Sequence, residues 1–415
     1  MEKKLRLGLV GFGARGTDLL KNVLIPMSDI DIELCAVCDL YPDRAEQARK
    51  MIIDAGKKEP LCSTDYKDIV TADVDAVIIM TAWEAHIEIA VAAMNAGKAV
   101  GMEVGGAYSI EDCWRLVDTA EATKMPCMML ENCCYGKREL MILNMVRRGL
   151  FGDVVYCEGG YRHDLREEIT SGAENRHYRL RNYLNRNCEN YPTHELGPIA
   201  KILRINNDNR MVTLSSVASC AKGLHAYAVD RLGAEHKLSQ AEFRQGDVVK
   251  TLIRCQNGEL ITLTLDTTLP CSYSRNFTVQ GTKAAYFEAS DSLYIDKQDA
   301  QYEFEDKKLW GSAEKYEQEH LHPLWRDYDP KGGHGGMDWL VFRAFVESIL
   351  GGIRTPIDVY DTASWMCISA LSERSIQEGG APQEIPDFTR GQWKKRAGIP
   401  VWEYGLDHPN LTNAK

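Results

Sequence analysis

The segment Gly11-Phe12-Gly13-Ala14-Arg15-Gly16 constrains this chain more than any other. It directly follows the apolar run Leu5 to Val10 and opens a helical pattern. In that place the three glycines have three separate uses. Gly11 permits a tight turn, Gly13 lets backbone approach a pyrophosphate, and Gly16 lets the helix pack on the strand. The phosphates then sit at the helix N-terminus, where unbonded N–H groups and the helix dipole favour anions. The next strand, Ile32 to Cys38, runs into Asp39. A carboxylate there accepts hydrogen bonds from ribose hydroxyls and repels a 2′-phosphate, so the expected cofactor is NAD rather than NADP. Arg44 bears on that preference only if it reaches back to the turn.

The alternation of strand and helix continues. Pro42 stands at a tolerated helix start, with Asp43 to Asp54 behind it. Ala76 to Met80 is continuously apolar, as a strand buried on both faces should be. Trp83 to Ala96 reads as helix stopped by Gly97. Ala99 to Met102 and Cys127 to Leu130 are strands on either side of the helix Ile110 to Thr123. This pattern predicts an α/β fold whose N-terminal domain, residues 1–133, is a Rossmann doubly wound parallel sheet.

After the helix Lys137 to Arg148 the pattern changes. Val154 to Tyr161, Met211 to Val217, Val248 to Arg254 and Leu260 to Leu265 read as strands. The last two are joined through Gln256-Asn257-Gly258-Glu259, and Asn-Gly is a strong hairpin signal. Phe277 to Gln280 and Ala284 to Phe287 flank Gly281-Thr282-Lys283 as a second hairpin. The expectation is an α+β domain over 134–385 with a large, open, mostly antiparallel sheet, then a C-terminal tail over 386–415. Trp339 to Leu350 and Asp358 to Gln377 read as helices, and Asp164 to Asn190 as a polar, irregular insert of the kind that carries function.

Charge narrows the partners. The 415 residues carry 49 basic and 60 acidic groups, a net charge of −11. That disfavours nucleic acid and anionic membrane surfaces. No stretch approaches the ~18 apolar residues of a membrane span. Met1 to Leu7 moves straight into a strand-like segment with no signal-peptide core before it. The chain as given therefore reads as cytoplasmic, or as periplasmic or secreted if a leader was removed. Its 13 cysteines, Cys133-Cys134 among them, read mostly as small buried hydrophobes in a reducing compartment. No metal site is expected, because the histidines lack ligand spacing.

At this level the sequence resembles the Gfo/Idh/MocA superfamily, which joins a Rossmann domain to an open-sheet domain that builds the substrate site. Most dehydrogenases of that superfamily carry Glu-Lys-Pro after the fourth strand, and the lysine assists proton transfer. Here the segment is Glu103-Val104-Gly105. That departure, together with Trp83-Glu84-Ala85-His86, Glu131-Asn132-Cys133-Cys134-Tyr135, Tyr161-Arg162-His163-Asp164-Leu165-Arg166, Tyr191-Pro192-Thr193-His194 and Gly332-Gly333-His334-Gly335-Gly336-Met337-Asp338, resembles glycoside hydrolase family 109. Those are NAD-dependent α-N-acetylgalactosaminidases. The resemblance implies cofactor contacts at Ala14, Arg15, Asp39, Trp83, His86, Glu103, Val104, Asn132 and Tyr191, beside Gly11, Gly13 and Gly16. It implies sugar contacts at Tyr161, Arg179, Tyr191, His194 and Tyr273. Glu195 departs from the small residue common in the family and bears on which sugar fits. The superfamily often pairs through the open face of its second sheet, so a homo-oligomer, dimer or larger, is expected.

The implied chemistry is unusual for a glycosidase, because most flank the scissile bond with two carboxylates. Oxidation at sugar C3 makes the C2 proton removable. Its loss drives elimination of the aglycone, water adds, and the ketone is reduced again. Such a site needs groups that trade protons near neutral pH. His194 is the first choice, with Tyr191 and Tyr161 as further catalytic candidates, and Arg179 to hold substrate oxygen or favour a phenolate. His163 and His334 lie in polar or glycine-rich loops and stay open as candidates. The alternative is an NAD-dependent sugar or polyol dehydrogenase, disfavoured by Val104 in the lysine position.

Overall fold

Continuous apolar strands must be covered on both faces, and the first half of this chain is built to supply that cover. In the computed structural model, which describes residues 4–299 and 311–411, six parallel strands form one sheet. They are β1 (Leu5–Val10), β2 (Ile32–Cys38), β3 (Leu61–Ser63), β4 (Ala76–Ile79), β5 (Ala99–Met102) and β6 (Cys127–Met129). The order is β3-β2-β1-β4-β5-β6, the doubly wound order. The crossovers are α1 (Ala14–Leu19), α2 (Pro42–Asp54), α3 (Tyr66–Thr71), α4 (Trp83–Asn95) and α5 (Ile110–Thr123). The chain order reverses between β1 and β4, and ligands of such sheets bind at the strands' carboxyl ends at that point.

Contacts divide the chain into two compact units. The first is Met1–Gly136, Asp327–Ala363 and Gly398–Pro409; the second is Lys137–Arg326, Ser364–Ala397 and Asn410–Lys415. The return of 327–363 to the first unit has a packing reason. The helix Met337–Gly351 buries Leu340, Val341, Phe342 and Phe345. Phe345 lies on the sheet where β5 has Gly101, and a Cβ there would stand 3.3 Å from its ring and 2.8 Å from Ile78 Cδ1. Burying a side chain of this size stabilises by roughly 1.5–3 kcal/mol.

The second unit is built on α6 (Lys137–Arg147) and an eight-stranded sheet: β7 (Val154–Arg162), β8 (Met211–Ala218), β9 (Val248–Cys255), β10 (Leu260–Asp266), β11 (Thr278–Gly281), β12 (Ala284–Phe287), β13 (Ser292–Ile295) and β14 (Gln383–Glu384). Its order is β13-β12-β11-β7-β10-β9-β8-β14. All its pairs are antiparallel except β7 with β10. Cys157, Tyr161, Ile261, Leu263, Val249 and Ile253 share the buried face by register. The opposite face carries exposed Val217, Leu252, Leu260, Phe287 and Tyr294. The polar insert contains two short helices, α7 (Arg166–Thr170) and α8 (Arg179–Asn185), where the sequence suggested irregular chain. Then α9 (Thr193–Ile202) packs on β7. Gly159 makes that approach possible, since a Cβ there would lie 2.4 Å from Glu195 Cβ. No helix among the described residues is long and apolar enough to cross a membrane.

Candidate functional site

In the first unit, the expected cofactor residues collect at the carboxyl ends of the strands. Gly11 leaves β1 with φ of 100°, a left-handed conformation suited to glycine. A Cβ on Gly16 would stand 2.0 Å from the Gly11 carbonyl oxygen, so the helix lies directly on the turn. Gly13 differs: the nearest atom to a Cβ there is Arg44 Nη1, at 3.8 Å. The space above Gly13, at the N-terminus of α1, is therefore a cradle that a side chain would fill and a pyrophosphate fits. Asp39 is buried and shapes the same turn. Its carboxylate accepts from Phe12 N–H at 2.6 Å and Tyr41 N–H at 2.9 Å. Arg44 does reach back to the turn, and its guanidinium also lies 5.0 Å from the Tyr41 ring centroid.

The remaining residues follow β4, β5 and β6. Trp83 packs on Gly105, where a Cβ would stand 2.5 Å from the indole, so the glycine after Glu103-Val104 is sterically required. His86 is buried, with Nε2 3.0 Å from the Thr81 carbonyl oxygen. Burial holds its imidazole down near pKa 4, although the Thr81 contact works against this. The ring is thus neutral, donating through Nε2, and its buried Nδ1 has no partner among the described residues. An unsatisfied buried acceptor at the start of α4 fits a ligand that brings an amide or hydroxyl donor. Glu103 is pushed up by burial, offset in part by Arg15, whose Nη2 is 3.1 Å from its Oε1. Val104 is buried. Asn132 donates to Asp338 at 2.8 Å.

In the second unit, the five residues expected to touch sugar come together. Tyr161 lies at the inner face of β7, Tyr191 and His194 enter α9, and Arg179 opens α8. The Tyr161 and Tyr191 ring centroids are 4.4 Å apart, and His194 meets them edge-on at 5.4 and 4.7 Å. Tyr191 OH lies 3.3 Å from His194 Nε2, and Tyr161 OH 2.8 Å from His163 Nδ1. Tyr273, half exposed, closes the group edge-on to Tyr161 at 6.2 Å and His163 at 5.2 Å. The Arg179 guanidinium is buried, 5.1 Å from the Tyr191 centroid, and pairs with Glu168 at 2.7 Å. Burial opposes its charge, but Tyr178, Tyr161, Glu168 and Tyr191 more than offset that and hold it firmly protonated. Burial and the Arg179 charge push His163 down, so it is a neutral partner for Tyr161 at neutral pH. This arrangement can move protons between phenols and imidazoles beside a fixed cation.

Glu195, by contrast, is engaged elsewhere. It is buried 3.3 Å from Arg275 Nε, and Arg275 also binds Glu139 at 2.6 Å. This ion pair, rather than the aromatic group, accounts for a glutamate in that place.

Sequence reasoning left out Asp338, Glu168 and Glu189. Asp338 holds Arg15 and Asn132, and Glu168 holds Arg179. Glu189 accepts the Tyr191 N–H, which opposes the effect of burial without cancelling it; burial pushes its carboxyl up to about 8. At pH 7 it is protonated in the fold and ionised in the unfolded chain, whose glutamates titrate near ~4.3. Folding then takes up a proton, so this group costs stability progressively as pH rises from that value to about 8, and equally above it. Glu189→Gln is expected to remove the cost. Its stability gain over wild type should grow between about pH 5 and 8 to the order of a few kcal/mol. Urea unfolding of both proteins across that range measures it; parallel pH curves would reject the buried neutral acid.

Comparison with known proteins agrees with both halves. Residues 5–130 match the oxidoreductase family with an NAD-binding Rossmann fold, and residues 135–395 match the glycosyl hydrolase 109 C-terminal domain. A glycosyl hydrolase family 109 protein of Stenotrophomonas maltophilia is 39% identical over 96% of this chain and 92% of its own length. An α-N-acetylgalactosaminidase of Tannerella forsythia is 37% identical over 94% of this chain and 88% of its own. Among solved structures, an inositol dehydrogenase homologue of Azotobacter vinelandii with NADH and myo-inositol superposes with a TM-score of 0.66. It covers 92% of this chain and 98% of its own at 17% identity, which speaks to fold alone.

Proposed function

The chain belongs to glycosyl hydrolase family 109 and carries an NAD-binding Rossmann domain, and from this premise we propose that it releases terminal α-linked N-acetylgalactosamine, or a near relative, from glycosides. The observation that carries the proposal is the Tyr161–Tyr191–His194 group beside Arg179. Its titratable members are phenols and imidazoles, which suit proton transfer at carbon and hydroxyl. NAD, when bound, supplies the oxidising equivalent at sugar C3 and takes it back within one turnover.

The residues then divide as follows. Gly11, Gly13, Ala14, Arg15, Gly16, Asp39, Trp83, His86, Glu103, Val104 and Asn132 hold the dinucleotide, with Tyr191 as a further contact. His194 accepts the proton from sugar C2, and the Tyr191 hydroxyl orients its Nε2. The Tyr161 hydroxyl exchanges a proton at the sugar hydroxyl, with neutral His163 as its partner. Arg179 binds hydroxyl or acetamido oxygen, with its guanidinium 5.1 Å from the Tyr191 ring centroid. Tyr273 packs against the sugar ring. The apolar open face of the second sheet, with Val217, Leu252 and Leu260, suits pairing with a second copy of this chain.

The test is a panel of aryl glycosides in D2O, with leaving-group release, NADH absorbance and deuterium at C2 of the released sugar followed together. The expected result is aglycone release with no net NADH and one deuterium at C2. Stoichiometric NADH without cleavage would instead establish the dehydrogenase.

A further inference from the structure

Arg15 occupies the place before Gly16 in the dinucleotide turn, and its guanidinium is already engaged. Nη1 and Nη2 bind the two oxygens of Asp338 at 2.7 and 2.8 Å. Nη2 also donates to Glu103 at 3.1 Å, and Nη1 lies 3.1 Å from His334 Nδ1. Asp338 is fully buried; it also accepts from Asn132 at 2.8 Å and lies 2.9 Å from His334 Nδ1. One carboxylate therefore ties together the phosphate-binding turn, the end of β6 and the glycine-rich segment before the helix Met337–Gly351.

That segment is costly to build. Gly332, His334, Gly335 and Gly336 all have positive φ, and at 50° His334 is in a conformation side chains rarely adopt. Gly333 has an ordinary backbone, but a Cβ there would stand 2.5 Å from Asp338 Oδ2. The segment is thus shaped to bring His334 and the Asp338 carboxylate onto Arg15. An arginine held in advance loses no side-chain freedom when the ligand arrives, a cost that a free one bears.

We infer that Asp338 and His334 are cofactor-positioning residues, which fix Arg15 and the turn around it so that NAD is retained through the turnover. This rests on the proposed glycosidase reading, in which one NAD must serve both the oxidation and its reversal.

The experiment follows loss of NADH fluorescence after diluting the loaded enzyme into cofactor-free buffer, beside the melting temperature of each apo protein. The variants are Asp338→Asn and His334→Gly. The second removes the imidazole yet suits the left-handed backbone, so it should fold as wild type does. NADH release is expected to be about tenfold faster or more in Asp338→Asn and several-fold faster in His334→Gly. The apo melting temperature of His334→Gly should be unchanged, and saturating NAD should restore glycosidase turnover in Asp338→Asn. Release within twofold of wild type in both variants overturns the inference. So does faster release that merely tracks a fall in apo stability, which would make the cluster a brace for the helix. If wild type retains NADH and the variants release it faster but no glycoside is cleaved, the proposed function fails and the positioning role stands. If wild type cleaves while the variants hold NADH as tightly, only the positioning role fails.

Discussion

Replacing His194 with alanine is expected to cut glycosidase turnover by roughly 10²–10⁴-fold, the usual contribution of a positioned acid–base group. NAD binding should persist. The imidazole is buried among Tyr161 and Tyr191, and its Nε2 is 3.3 Å from the Tyr191 hydroxyl. Removing it has two effects that must be separated: loss of a proton acceptor, and loss of a packing partner for two rings. The packing loss is of order 1–3 kcal/mol and appears in the melting temperature. The chemical loss appears in kcat and in the rate of deuterium exchange at C2. His194→Gln sharpens the distinction. A glutamine keeps a polar partner near Tyr191 but has no nitrogen that gains and loses a proton near neutral pH. Its kcat should be nearly as low as that of the alanine variant, with KM close to wild type. A glutamine variant within threefold of wild-type kcat would reduce His194 to scaffolding and move the base to Tyr161 or Tyr191.

The two halves of the chain were legible in the sequence to different depths. The Rossmann sheet was readable because its strands are buried on both faces. β1, β2 and β5 stand where the apolar runs place them, and β4 and β6 end one residue earlier. β3 escaped notice for the same reason in reverse: Leu61 and Cys62 are exposed, so no apolar run marks it. In the second sheet, alternation and the Asn-Gly turn identify β9 and β10, whose pairing is local. The parallel pairing of β7 with β10 joins segments about a hundred residues apart and has no turn chemistry to announce it. The site behaves likewise. Gly11, Gly13 and Gly16 are informative because backbone geometry requires them in one short stretch. Tyr161, Arg179, Tyr191, His194 and Tyr273 come from separate elements, and residue type alone does not say that they converge. Asp338 was missed because its partner Arg15 lies 323 positions away. The segment Gly332 to Asp338 carried the family resemblance, but that resemblance assigned no role to the aspartate.

Gly13→Ala should separate cofactor binding from folding, and it is the second change with a large expected effect. The glycines of the turn are not equivalent. At Gly16 an added methyl would meet the Gly11 carbonyl oxygen at 2.0 Å, so the apo protein itself must distort. Overpacking of that kind costs about 1–3 kcal/mol or more. At Gly13 the backbone has φ of −65° and ψ of −170°, which alanine adopts freely. The nearest protein atom would be Arg44 Nη1 at 3.8 Å, an ordinary contact with the end of a flexible side chain. Protein contacts therefore give no reason for glycine at this position, and the pyrophosphate approach does. Gly13→Ala is expected to melt within a degree or two of wild type without cofactor, yet bind NAD roughly 10- to 100-fold more weakly, as a clash of about 1–3 kcal/mol implies. Gly16→Ala should lose both stability and affinity. Cofactor linkage makes the contrast measurable in one thermal titration. At NAD about 100 times its wild-type Kd, wild type gains about 2.7 kcal/mol of stability, and in Gly13→Ala that gain should fall to about 0.4–1.4 kcal/mol. If Gly13→Ala keeps the full NAD-dependent rise in melting temperature, the dinucleotide does not lie against Gly13, and the phosphate site must be placed elsewhere along the carboxyl edge of the parallel sheet.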